Sequence, residues 1–179
     1  MIRLTACVLG LSLFAACPAL AEPTGETTDE SLKAIETART AVSEALSKAP
    51  LGFRRILFVK EVPEGFAAYK PRDNTSFAPN EPLIIYTEPI GVAWKQDGDQ
   101  FSSKLVVDFE IRTPDGKVLA GQKSFGEFAL EAREPPLDYM SHIKLDVTGA
   151  PAGSYVLGLT IHDTNSGKTA SKDLPFDIK

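Results

Sequence analysis

The chain has 179 residues, 19 of them basic and 24 acidic, and its formal charge of −5 disfavours nucleic acid and anionic lipid as partners. Its only cysteines, Cys7 and Cys17, both precede Ala21, so a chain cut there has no thiol. Disulfides, cysteine-ligated zinc and a cysteine nucleophile are then excluded.

The first element is a leader. Met1 to Ala21 carries Arg3, an apolar run from Leu4 to Ala16 and a small-x-small site at Ala19-Leu20-Ala21, the pattern a signal peptidase accepts. Cleavage after Ala21 removes Arg3 and moves the charge from −5 to −6. An alternative is a lipid anchor at Cys17, because Phe14-Ala15-Ala16-Cys17 resembles a bacterial lipobox. Phe14 and Pro18 fit that motif less well than Ala21 fits the first, so the expected product is a periplasmic or secreted protein. No later segment reaches the roughly 20 apolar residues of a membrane-spanning helix.

Glu22 to Thr28 has nothing apolar to bury and reads as a flexible tether. Thr27-Thr28-Asp29-Glu30 fits a capping box opening a helix over 29–49, with Leu32, Ile35, Val42, Ala45, Leu46 and Ala49 at helical spacing and Arg39 interrupting the stripe. Pro50 and Gly52 stop it. The expectation is that this helix packs on the same chain near the first strand; the alternative is that it binds a partner or dimerises.

Residues 53–179 read as one β-sandwich. Phe53 to Val62 is the first strand, with Ile56 and Phe58 on one face and Leu57 and Val59 on the other, so both faces need cover and the helix is the expected cover. Pro63-Glu64-Gly65 is a turn, Phe66 to Tyr69 a short strand, and Arg72 to Pro82 a polar loop. Leu83 to Thr87 is a core strand that Glu88-Pro89 ends or bulges, and Ile90 to Trp94 continues it with Val92 and Trp94 on one face. Asp97-Gly98-Asp99 is a hairpin tip.

In Gln100 to Thr113, Leu105, Val107, Phe109 and Ile111 alternate with Val106, Asp108, Glu110 and Arg112, and Pro114-Asp115-Gly116 turns that strand into Lys117 to Gln122. Ser124 to Arg133 is read as a further strand in preference to a helical turn. A Pro-Pro loop over 134–137 leads to Met140 to Val147, with Ile143, Leu145 and Val147 inward. The Gly149 to Gly153 corner then enters Tyr155 to His162, in which Tyr155, Leu157, Leu159 and Ile161 share a face. Asp163 to Gly167 is a tight turn, and Thr169 to Ile178 closes the sheet with Pro175 at an edge or bulge.

A tyrosine two residues past Gly153 and in phase with the buried set resembles the tyrosine corner of immunoglobulin-like sandwiches. The ending, from Gly-x-Tyr through the alternating strand and Asp163 to Lys168 to a final strand, looks like the C-terminal half of exported bacterial immunoglobulin-like domains. The resemblance implies a mainly β, immunoglobulin-like antiparallel sandwich with one N-terminal helix. Such domains share an architecture and not an activity, so no functional residue is carried over.

Residues that could carry chemistry are few. His142 and His162 fall opposite the buried phase of their strands and would meet only if those strands were neighbours. No Gly-x-Ser-x-Gly elbow and no His-Glu-x-x-His helix occurs. Asp163, Asn165 and Gly167 have calcium-loop spacing but no closing acid, and read as a hairpin turn. Tyr86, Trp94, Phe77 and Tyr139 are the aromatics that could stack on a sugar or peptide, with Trp94 either core or platform. Arg72 and Arg133 could frame a loop-end pocket for an anion. The expected ligand-binding residues are therefore Trp94, Tyr86, Arg72 and Arg133, with no catalytic residue, metal or cofactor. The expected function is a non-enzymatic envelope module binding a protein or small ligand; the alternative is a periplasmic hydrolase using carboxylates.

Overall fold

The computed structural model describes residues 28–179; the expected leader, Cys17 and all but the last residue of the expected tether lie outside them. Helix α1 (Asp29–Lys48) is capped by Thr28, one residue later than expected, whose hydroxyl accepts from the Ser31 amide at 3.2 Å. Its end is set by Ala49, which is extended, and by Pro50, which cannot continue a helix.

Nine strands follow. β1 (Gly52–Phe58), β3 (Leu83–Ile90) and β7 (Ser141–Leu145) form one antiparallel sheet in the order β1-β3-β7. β9 (Thr169–Ile178), β8 (Gly153–Asp163) and β5 (Gln100–Arg112) form the second, which β6 (Val118–Ala132) extends beyond β5. Two short strands complete it: β4 (Lys95–Asp97) pairs with β5, and β2 (Ser76–Phe77) pairs in parallel with the end of β9. The first, second and fifth long strands thus face the other four, the strand distribution of an immunoglobulin-like sandwich.

The core lies between the sheets. Leu83 and Ile85 of the small sheet meet Leu105, Val107, Leu157 and Leu159 of the large one, all 0% exposed. Each such side chain contributes roughly 1.5–3 kcal/mol. Period-two alternation in β5, β7 and β8 aims these residues inward, as the sequence pattern requires.

The Tyr155 hydroxyl donates to the Pro151 carbonyl at 2.7 Å, and its ring stacks on Phe176 with centroids 5.4 Å apart. This is the tyrosine corner that Gly153 and Tyr155 led us to expect. Tyr155→Phe leaves that carbonyl unmatched and is expected to lower stability by about 1–2 kcal/mol, read as the urea midpoint. An unchanged midpoint would mean the corner bond does nothing for the fold.

Two expectations change. The helix does not cover β1. Its stripe residues Leu32, Ile35 and Val42 stay 48%, 51% and 46% exposed, and it meets the body through Arg39, Ser43, Leu46 and Ala49 at its C-terminal half. The outer face of β1 is covered instead by the loop over 60–72, where Tyr69 stacks on Tyr86 at 4.2 Å and Lys60 donates its amide to the Lys70 carbonyl. Residues 66–69, expected as a strand, belong to a tight turn in which Ala68 bonds back to Gly65.

The remaining differences are of boundary. β3 runs through Glu88-Pro89 to Ile90, and Gly91 at φ 70° then turns the chain, so Val92 to Trp94 form no strand. β6 is one strand of 15 residues in place of two, with a bulge at Ser124, whose φ is 50° and whose amide binds the Asp108 carboxylate.

Candidate functional site

Where the helix meets the sandwich there is a cleft of about 310 Å³. One wall is Ser43, Leu46 and Ser47 of α1; the other is Val92 to Trp94 with Pro135, Pro136 and Leu137. A shallower recess beside it, of about 190 Å³, is bordered by Glu36, Thr40 and Glu44 and by the ion pair of Arg39 with Glu134 at 3.0 Å.

Local chemistry fixes these walls. Gly91 turns the chain out of β3 directly against the Ala49-Pro50 backbone, so the helix end and the Trp94 segment share one anchor. Asp163, 1% exposed, accepts the Ala93 amide at 2.7 Å and the Asn165 amide at 2.9 Å. The Asn165 side chain donates to the Ala93 and Ser102 carbonyls at 3.0 and 2.9 Å. The turn whose spacing suggested calcium is therefore a clamp on the segment that carries Trp94, and Asp163 spends its oxygens on backbone amides. Among the described residues no group of three or more His, Cys, Asp or Glu side chains could hold a metal ion.

Trp94 is half-buried, neither sealed in the core nor standing free. Tyr139 meets its ring edge-on at 6.0 Å and 77°. Burial raises the Tyr139 phenol above its ordinary value.

The other expected site residues lie elsewhere. Tyr86 is 0% exposed beneath the 60–72 loop, its hydroxyl accepting from the Ala67 amide at 2.9 Å and donating to Glu88 at 2.7 Å, so it offers a ligand no surface. Burial pushes that phenol up to about 12. Arg72 lies over the Phe77 ring at 4.0 Å and binds Glu81 and the Ser76 carbonyl, pinning a loop at the opposite end of the sandwich from the cleft. Arg133 is exposed at the cleft end, next to Glu134. The two arginines frame no common pocket, because Arg72 joins the Phe58 end of β1 while Arg133 follows the β6 residue paired to the start of β5.

The histidines are in different sheets, His142 on β7 and His162 on β8, and do not pair. His162 instead meets Asp108 at 2.8 Å on the outer face of the large sheet, with Lys123 at 3.0 Å from the same oxygen. Burial opposes the Asp108 charge, yet the Ser124 amide, Lys123 and His162 outweigh it and lower that carboxyl to about 2, from 3.8. A depressed folded-state value contributes stability at pH above about 3.8 that is lost as pH falls through about 2. Asp108→Asn is accordingly expected to flatten the acid limb of the melting-temperature profile between these values; an unchanged acid limb would contradict it.

Sequence reasoning missed Leu46 and Pro135 to Leu137 as cleft walls and Asn165 as a clamp. The only local signal was the Asp-x-Asn spacing at 163–165.

No family model matches the chain, and no curated protein matches it in sequence. Among solved structures, the C-terminal domain of Wzt is similar over 74% of this chain and 75% of its own, at 13% identity and a TM-score of 0.42. The CARDB domain of the Pyrococcus furiosus PF1109 protein, in complex with di-metal ions, is similar over 73% of this chain and 86% of its own, at 11% identity and a TM-score of 0.33. The Pseudomonas fluorescens alkylpurine DNA glycosylase AlkC, bound to DNA containing an abasic site analog, is similar over 83% of this chain and 37% of its own, at 14% identity and a TM-score of 0.35. Likenesses this distant carry no argument about activity, and the immunoglobulin-like assignment stands on the strand order and the Tyr155 corner.

Proposed function

We propose that this protein is a non-enzymatic, exported cell-envelope binding module that holds an uncharged ring, such as one sugar unit of an envelope glycan, in the cleft beside Trp94. The observation that carries the reading is the half-buried Trp94 wall set across about 310 Å³ from Ser43, Leu46 and Ser47 of the helix. A sugar ring has apolar C–H faces that stack on indole and a hydroxyl rim that bonds to serines, so one wall suits each part. Export is supported by Arg3, the Leu4 to Ala16 run and the Ala19/Ala21 site.

The hydrolase alternative has less support. It needs a desolvated carboxylate pair inside a cleft. The buried acids Glu88, Asp108 and Asp163 are bound to arginines, to His162 and Lys123, and to backbone amides, and none of them lines this cleft.

A glycan array followed by titration of the captured glycan tests the reading. Trp94→Ala is expected to weaken binding by about tenfold or more, as loss of a stacking contact requires, with the fold retained but melting lower because the half-buried indole also packs on Tyr139. No glycan captured, or equal affinity for Trp94→Ala, would overturn it.

A further inference from the structure

The seam between the free edges of β1 and β9 is half filled by the chain's own backbone and half open. At one end the segment 70–77 closes it. The Arg72 amide donates to the Phe58 carbonyl, the Lys60 amide to the Lys70 carbonyl, and the Asp177 and Lys179 amides to the Thr75 and Phe77 carbonyls. At the other end, beside Gly52 to Ile56 and Ala170 to Lys172, lies an open cleft of about 560 Å³.

Strand parity says which backbone groups face that opening. β9 pairs with β8 without a register shift, and its Asp177 amide points away from β8, so Ser171 and Asp173 also direct N–H and C=O outward. Pro175 shares this parity, and its missing donor is on the free edge. Among the described residues no strand pairs with β9 between Thr169 and Pro175 on that side. The floor of the opening is apolar, with Phe53, Ile56 and Ala170 partly exposed. Its charged lining is entirely cationic, Arg54, Arg55 and Lys172, in a chain of charge −5. The arginines turn outward to Glu88, which leaves Lys172 as the cation at the slot. The pleat puts Lys172 on the face of its cross-strand partner Leu159, aimed at the seam and not at the outer surface.

We infer that this slot binds an acidic peptide in extended form, which hydrogen-bonds to Ser171 and Asp173 along β9 in line with β2. Alternate side chains on one face of the peptide meet the slot: apolar ones cover Phe53 and Ile56, and a carboxylate in the same phase meets Lys172. A second copy of this chain fits less well: two β9 edges paired about Lys172 oppose Lys172 to Lys172, and in any register Pro175 withholds a donor from each. The surface is separate from the Trp94 cleft, and the inference does not depend on the reading of that cleft.

The test uses the whole chain and three fluorescein-labelled heptapeptides with threonine at the odd positions and valine at the second and sixth, so that one face carries the contacts. One has glutamate at the fourth position, one has lysine there, and the third is the glutamate peptide N-methylated on alternate amides. Saturable anisotropy change is expected with the glutamate peptide alone. Lys172→Glu is expected to weaken that peptide by about tenfold or more and to admit the lysine peptide, with Lys172→Gln intermediate. Lys172 is exposed, so these variants are expected to melt as the parent does. Failure of the glutamate peptide to bind at millimolar concentration, equal binding of the N-methylated peptide, or indifference to Lys172→Glu would each overturn the inference.

Discussion

Gly91→Ala is expected to lower stability by about 2–4 kcal/mol, a fall of roughly 5–15 °C in melting temperature for a chain of this size. Two effects combine. Gly91 has φ 70°, a conformation that strains any residue with a Cβ. An added Cβ would also lie 2.3 Å from the Pro50 carbonyl oxygen and 2.6 Å from that of Ala49. Those atoms are backbone at the joint between α1 and β1, so the clash is relieved only by moving the helix off the cleft wall. Gly98 provides the control: its φ is 56° but nothing lies within 4 Å of an added Cβ. Gly98→Ala should therefore cost only the strain, about 1 kcal/mol. If the two variants melt alike, Gly91 does not hold the helix against the Trp94 segment.

Removing Arg54 and Arg55 together is expected to cost about 2–4 kcal/mol, more than Glu88→Gln at about 1 kcal/mol. The bulge in β1 explains the asymmetry. Phe53 pairs with Pro89 and Arg55 with Glu88, so Arg54 is the extra residue and both arginines reach the outer face, where they converge on Glu88. The Glu88 side chain is 2% exposed while the arginines are about half exposed, at 49% and 51%. Losing the carboxylate leaves two cations that water can still reach. Losing both cations leaves a buried anion with only the Tyr86 hydroxyl as a strong partner. Adding Glu88→Leu to the double variant should recover part of the loss, since the uncompensated charge goes with it. Urea unfolding of the four proteins decides this, and a double variant within about 0.5 kcal/mol of the parent would contradict it.

What the sequence made legible was whatever a single strand encodes by itself. Alternation in β5 and β8, the corner at Gly153 to Tyr155 and the turn chemistry at Asp115-Gly116 each depend on neighbours a few residues away. The cover of β1 was not legible. Leu57 and Val59 announce that the outer face is buried, but alternation is silent about what lies on it, and the 60–72 segment read as the end of the first strand, a turn and a short strand of its own. Tyr86 was misplaced for the same reason, since a strand position opposite the core looks wet until a loop lands on it.

The site was legible only as residue types. Trp94 stood out as the single tryptophan, but its cleft is assembled from α1, the segment after β3 and the loop before β7, and no local pattern links them. Arg72 and Arg133 looked like a pair because both adjoin loops. Strand pairing puts those loops at opposite ends of the sandwich, which only the register reveals.

Because Trp94 is the only tryptophan, its fluorescence reports on the cleft alone, and titrating the whole chain with an uncharged oligosaccharide is the most direct test of the proposed ring binding. A saturable blue shift in emission, absent when Leu46→Asp opens the facing wall, is the result expected of a ring stacked on the indole. Emission unchanged at millimolar oligosaccharide, or the same shift with Leu46→Asp, would contradict binding in this cleft.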